Sequence, residues 1–430
     1  MATALGQPLS LPCGATLPNR IAKAAMTEGL ATPDGVPTDK LDRLYGVWSD
    51  GGAGLLLSGN IQVDRAHLER PGNVVIDAEP DAAMREALAS WARAATRGGN
   101  HFWAQINHAG RQTQKMINPA PKAPSAVTVG LPGGRFGRPV PLTVDEIADI
   151  VRRFGLAAAA CKAAGFTGVQ IHAAHGYLFS QFLSPRTNLR EDAYGGSLEN
   201  RARALLECVA SVRAAVGPEF PIAVKINSAD FQKGGFAFED SLQVVQWLEA
   251  AGVDLIEISG GTYEQPKLIG VEGVEASAEQ FVKESTRARE AYFVDFAQAM
   301  QAKVQVPLMV TGGLRRRDVM EQVITEGSAD VVGLARPMCV VTDAPKQLLE
   351  GLDELPRYEK ELSLLPGWLA FLSEVKLVKM VATFAVQYWY YAQIDELGVA
   401  GKPAPEMSVF AATRRLMALE KKLLAGRSKD

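Results

Sequence analysis

Short apolar runs alternate with longer amphipathic stretches along most of this chain, and that alternation constrains the fold more than any other feature. Candidate strands are Ile21 to Met26, Gly54 to Ser58, Phe102 to Ile106, Gly168 to His172, Ile222 to Ile226, Leu255 to Ser259, Leu308 to Val310 and Val331 to Gly333. Helical patterns lie near residues 39–50, 80–97, 143–164, 199–215, 238–251, 287–302, 316–326 and 343–351. Each such helix must bury its apolar stripe on a sheet, so the repeat implies parallel strands with helices outside. Eight repeats are the number that closes a barrel, and the expected fold is α/β, a (β/α)8 TIM barrel. Thr143 and Glu146 form a capping-box pattern at the start of the third helix.

At 430 residues the chain exceeds an average domain, but a barrel with insertions reaches this size. A barrel over residues 1–352 and a helical C-terminal extension over 353–430 is the expected division. Two connections are long, Gln112 to Leu142 and Gly260 to Arg287, and both follow strands, so both are expected to overhang the active-site mouth. The stretch from Val375 to Ala392 is rich in apolar and aromatic residues. It reads as a helix packed on the barrel or at an interface between copies of the chain, with a substrate lid as the alternative.

With 45 basic and 48 acidic side chains the net charge is -3, which argues against a nucleic-acid partner. No basic region followed by an apolar core marks the N-terminus as a signal peptide, so a cytoplasmic location is expected. The least charged run, Val381 to Ile394, is too short to span a bilayer. Cys13, Cys161, Cys208 and Cys339 are widely separated, which suits reduced thiols rather than disulfides or a metal cluster.

Chemistry concentrates between Ile171 and Arg203, in IHAAHGYLFSQFLSPRTNLREDAYGGSLENRAR. His172, His175 and Tyr177 fall where a strand gives way to its loop, the end at which barrel active sites are built. Two imidazoles three residues apart can converge on one oxygen and stabilise the charge it gains. Metal binding is the competing reading, but no carboxylate adjoins the pair, and none is expected. Thr311, Gly312 and Gly313 follow strand seven, and Gly333 to Arg336 follow strand eight. Loops at those positions form the recurrent phosphate site of such barrels, through backbone N–H groups and an arginine; taken singly, each could be only a tight turn.

The string from His172 through Tyr177 to Tyr194, Gly195, Gly196, Ser197, Asn200 and Arg201 strongly resembles the old yellow enzyme family of FMN-dependent ene-reductases. The similarity runs from about Pro18 to Pro337 and leaves the C-terminal tail unexplained. The dienoyl-CoA reductase relatives add a cysteine-ligated cluster and a second flavin domain, for which this sequence has no counterpart. The resemblance implies FMN as cofactor and NADPH or NADH as hydride donor. The substrate is an activated alkene, an α,β-unsaturated carbonyl or nitro compound, reduced in a ping-pong cycle. It assigns the phosphate to Gly312, Gly313, Ala335 and Arg336, and the ring to Ala24, Ala25, Met26, Thr27, Asn60, Gln105 and Lys225. Lys225 stands where the family usually has arginine, which keeps the charge and loses the planar fork. Tyr177 is the implied proton donor, because a phenol with a reference pKa of about 10 stays protonated at neutral pH. Asn60 and Asn107 replace other residues of familiar members and suggest a more polar substrate pocket, while His108 and Arg111 read as loop braces. Two other readings remain at this level. One is a lyase or aldolase with Lys225 as Schiff-base nucleophile; the other is a non-catalytic partner-binding barrel with the aromatic tail as its interface. Under any of these readings the C-terminal helices are a candidate surface for a homo-oligomer.

Overall fold

A computed structural model describes residues 3–131, 134–259, 296–364 and 376–427, together with Val294. Eight parallel strands form a closed sheet: β3 (Ile21–Lys23), β4 (Leu55–Gln62), β6 (His101–Asn107), β9 (Gly168–Ala173), β10 (Ile222–Asn227), β11 (Leu255–Ser259), β12 (Leu308–Thr311) and β13 (Val331–Leu334). Pairing of β3 with both β13 and β4 closes the ring, with short β5 (Val74–Val75) added alongside the end of β4, so the expected (β/α)8 barrel is present. The intervening helices are α1 (Asp39–Ser49), α2 (Ala82–Thr96), α3 (Val144–Ala163), α5 (Leu198–Val216), α6 (Phe238–Ala250), α7 (Arg317–Thr325) and α8 (Ala344–Glu350). Residues 296–301 are also helical. The capping box at Thr143 and Glu146 is formed, with both reciprocal bonds in place. The expected overhanging loop from Gly260 to Arg287 lies outside the described residues.

Alternation along the strands divides the barrel interior into two zones. At the strand starts, Ala22, Leu55, Trp103, Ala223, Leu255, Met309 and Val331 pack into one apolar cluster. A short hairpin of β1 (Leu9–Ser10) and β2 (Thr16–Leu17) closes this end, with Leu9, Leu11 and Leu17 joining the cluster. Further along, the same inward rows change to Gln105, Gln170, Lys225 and Glu257, all buried. An apolar floor thus carries a polar upper layer, the arrangement a site at the C-terminal mouth requires. Two insertions border that mouth. One is the small parallel sheet of β7 (Lys122–Ala123) and β8 (Val140–Pro141); the other is α4 (Leu178–Leu183) directly after Tyr177.

In the C-terminal extension, α9 (Lys376–Ala400) and α10 (Val409–Ala425) pack on each other, and α9 also packs on α1. Trp389 is fully buried and donates from Nε1 to the carbonyl of Met407 at 2.7 Å. Buried Arg70, in the loop after β4, pairs with Glu420 at 2.9 Å and lies 4.3 Å over the Tyr391 ring. Among the described residues, no helix is long and apolar enough to cross a membrane.

Candidate active site

His172 ends the inward row of β9 and is the register partner of Lys225. Its Nδ1 accepts from the backbone N–H of Ala174 at 3.2 Å, so in the neutral ring Nε2 carries the proton. His175 holds φ at +60°, a left-handed conformation uncommon for a side-chain-bearing residue, which turns its ring back toward His172. That turn is fastened by Asn227, whose Oδ1 accepts the His175 N–H at 3.1 Å, and by Gln112, whose Nε2 donates to the His175 carbonyl at 2.6 Å. The His172 and His175 rings stand 5.2 Å apart, and the Tyr177 ring lies edge-on to His172 at 4.8 Å. The three sequence-predicted catalytic residues therefore form one cluster. Burial pushes both imidazoles well below their ordinary pKa, for His172 with His175 and Lys225 reinforcing it and for His175 with Lys225. Both rings are neutral hydrogen-bonding groups at physiological pH.

Gln105 and Lys225 also face this region, joined by two residues the sequence reading did not single out. Gln105 Nε2 donates to Gln170 Oε1 at 2.6 Å, Gln170 Nε2 donates to Glu257 Oε2 at 2.8 Å, and Lys225 Nζ lies 2.9 Å from Glu257 Oε1. An ion-paired ammonium has no free electron pair, which disfavours the Schiff-base alternative for Lys225. Thr27 donates to Glu69 Oε2 at 2.6 Å, and Asn60 donates to the same oxygen. Glu69 was likewise missed, because a lone carboxylate in a loop carries no local signal.

At the predicted phosphate loops, Gly312 and Gly313 adopt φ of +128° and +75°. At Gly333 a Cβ would lie 2.1 Å from Thr311 Oγ1. That hydroxyl is buried without a hydrogen-bond partner among the described residues. Ala335 is half-buried and Arg336 exposed. Arg336 lies 3.6 Å from Glu359, which also faces buried Arg315 at 3.4 Å and accepts from Tyr390 at 2.9 Å. A second arginine and a carboxylate of the extension therefore adjoin these loops, neither anticipated from the sequence. The two arginines, the orphaned hydroxyl and the glycine turns with positive φ fit a phosphate-bearing flavin. Ala24 continues the β3 pairing by donating to the Leu334 carbonyl at 2.8 Å, beside half-buried Ala25 and Met26.

Asn107 ends β6 fully buried beside its register neighbour Gln62, and the amide atoms of both lack partners among the described residues. Neither lines an open entrance, although both remain polar groups near the mouth. His108 and Arg111 brace the following loop as expected: Arg111 Nη1 donates to the Thr128 carbonyl at 2.9 Å. His108 stacks on His67 at 4.4 Å, and both face Asp64. This trio has the spacing of a metal site, but its hydrogen bonds argue otherwise. His67 Nε2 accepts from Lys122 N–H and His108 Nδ1 from Gly110 N–H, so in each neutral ring the nitrogen facing Asp64 is the protonated one. Burial opposes the charge of Asp64, but the two histidines outweigh it and hold that carboxyl well below the usual range.

Residues 4–354 match the family described as NADH:flavin oxidoreductase / NADH oxidase. An NADH-dependent flavin oxidoreductase, iliE, of Hypocrea jecorina is 38% identical over 368 residues, covering 80% of this chain and 88% of that protein. The solved structure of an old yellow enzyme homologue from Zymomonas mobilis aligns with a TM-score of 0.67 at 25% identity, over 84% of this chain and 97% of that one. A 2-naphthoyl-CoA reductase in complex with 2-naphthoyl-CoA aligns with a TM-score of 0.73 at 26% identity; the match covers 81% of this chain and about half, 52%, of that longer chain. With the barrel and the His172, His175 and Tyr177 cluster in place, these matches establish that the chain belongs to the NADH:flavin oxidoreductase / NADH oxidase family, the old yellow enzyme type of FMN-dependent NAD(P)H oxidoreductase that reduces activated alkenes.

Proposed function

We propose that His172 and His175 bind and polarise the activating oxygen of an α,β-unsaturated carbonyl or nitro compound, and that Tyr177 protonates the carbon α to it. The observation that carries this reading is the pair of neutral imidazoles, buried His172 and half-buried His175, with ring centres 5.2 Å apart, beside a buried phenol. Neutral N–H donors aimed at a site where negative charge grows are worth most when water is excluded. FMN, when bound, supplies the ring that takes hydride from NADPH or NADH and passes it to the alkene. Lys225 and Gln105 would hold its pyrimidine edge; Ala24, Ala25, Met26, Thr27 and Asn60 would border the ring. Gly312, Gly313, Ala335 and Arg336 would hold the phosphate, with Arg315 as an added cation. The test is direct: the purified protein absorbs in the blue and releases FMN, not FAD, on denaturation. A colourless protein that FMN cannot reconstitute would overturn the reading.

In this reading residues 1–352 are the flavin-binding barrel and residues 353–430 an extension that buttresses it. Phe410 and Met417, two turns apart on α10, are 60% and 59% exposed, which favours this face for pairing two copies of the chain. Light scattering of the protein and of a Phe410→Glu variant checks it: a dimer that the variant splits is expected, and a monomer in both refutes it. The four free cysteines suit a reducing cytoplasm.

A further inference from the structure

Glu257 has no exposed surface and lies on β11 opposite Lys225, at the centre of the barrel's polar layer. Its oxygens are divided between two tasks. Oε1 sits 2.9 Å from Lys225 Nζ, and Oε2 accepts from Gln170, which in turn accepts from Gln105. An ionised carboxylate only accepts, so Gln170 must turn its NH2 group toward it and its oxygen toward Gln105. Gln105 must then turn its own NH2 group back, leaving its carbonyl oxygen for whatever lies above. One buried charge thus sets the polarity of the whole relay. It also faces the cation on the neighbouring strand. Among the described residues, His172 and His175 beside Lys225 are held neutral by burial, and Lys23 on β3 is a second buried amine, itself accompanied by buried Glu28.

We propose that Glu257 is a positioning residue of the flavin site: it balances the charge of Lys225 and, through Gln170, fixes the direction of the Gln105 amide, so that the bound cofactor is harder to reduce than Lys225 alone would make it. The inference rests on the reading of Lys225 and Gln105 as partners of the flavin's pyrimidine edge. A cation there favours the reduced ring, which gains negative charge, and an adjacent carboxylate opposes that effect. An ion pair that merely held strands together would leave the potential alone.

The test is the midpoint potential of the FMN-loaded protein. Glu257→Gln keeps the shape and removes the charge, and should favour reduction by about tenfold in the equilibrium constant, about 30 mV for a two-electron couple. Lys225→Met is the control and should make the flavin harder to reduce; an unchanged potential there would mean that Lys225 is not beside the ring, and the underlying reading fails. If Lys225→Met shifts the potential and Glu257→Gln does not, Glu257 has no such role. Should Glu257→Gln fail to hold FMN, Lys225→Met is compared with the Lys225→Met, Glu257→Gln double variant, in which no buried charge is left unpaired. The double variant should be about tenfold easier to reduce than the single one, and equal potentials would overturn the proposal.

Discussion

His172 and Tyr177 touch in the structure but have separable tasks, and single substitutions can divide them. Removing one oxyanion donor, as in His172→Ala or His175→Ala, should slow alkene reduction by about two to three orders of magnitude. Tyr177→Phe preserves the ring packing and removes only the acid. Enone turnover should then fall about 100-fold or more, while reduction of the flavin by NAD(P)H continues at its former rate. Nitroalkenes should suffer less, since their nitronate can leave and be protonated by water. Stopped-flow measurement of each half-reaction at the flavin band separates these outcomes, and a slowed reductive half-reaction with normal enone turnover would remove Tyr177 from the role of acid.

The ends of β12 and β13 and the packing of the extension can be tested as elements. Gly333→Ala would bring a Cβ to 2.1 Å from Thr311 Oγ1 and 2.6 Å from Met309 Cε, so one strand end must shift at the proposed phosphate site. Weaker FMN retention with preserved helix content is expected, measured by fluorescence of released flavin and by circular dichroism. In the loop after β4, Arg70 reaches α10 through Glu420, with both side chains largely buried. Glu420→Ala leaves that guanidinium without its carboxylate and should destabilise the protein by about 3 kcal/mol. Urea unfolding checks it, and a loss within experimental error would show that Tyr391 and the surrounding loop hold Arg70 unaided.

Across the whole molecule, buried neutral histidines tie stability to pH. Burial, reinforced by His67, pushes His108 down to about 4, and His172 and His175 are also depressed. These groups bind protons more readily in the unfolded chain, so their contribution is fully present above the unfolded pKa of about 6.5 and is lost as pH falls through the folded values. For His108 the shift corresponds to about 3 kcal/mol. Thermal midpoints should be level from about pH 7 to 8 and decline steadily from about 6.5 to 4. Replacing His108 with Asn should flatten that decline, and a slope identical to the parent's would exclude His108 as a contributor.

Local sequence determined the repeat and the chemistry-bearing turn. Each barrel strand and its helix is written in a contiguous apolar period, and His172, His175 and Tyr177 meet because they share one strand end. The capping box at Thr143 is equally local. Where the period was missing, the element was not legible: β1 and β2 have two residues each, and α4 is buried on every face, so neither displays a polar side. Only the tertiary structure decided which distant charges answer one another. Closure of the barrel sets Glu257 against Lys225. The loop after β4 carries Glu69 to Thr27 and Asn60, and the extension brings Glu359 to Arg315 and Arg336. No spacing along the chain encodes these contacts, because a buried carboxylate finds its partner through strand register and packing, whereas periodicity reports only which face of an element avoids water.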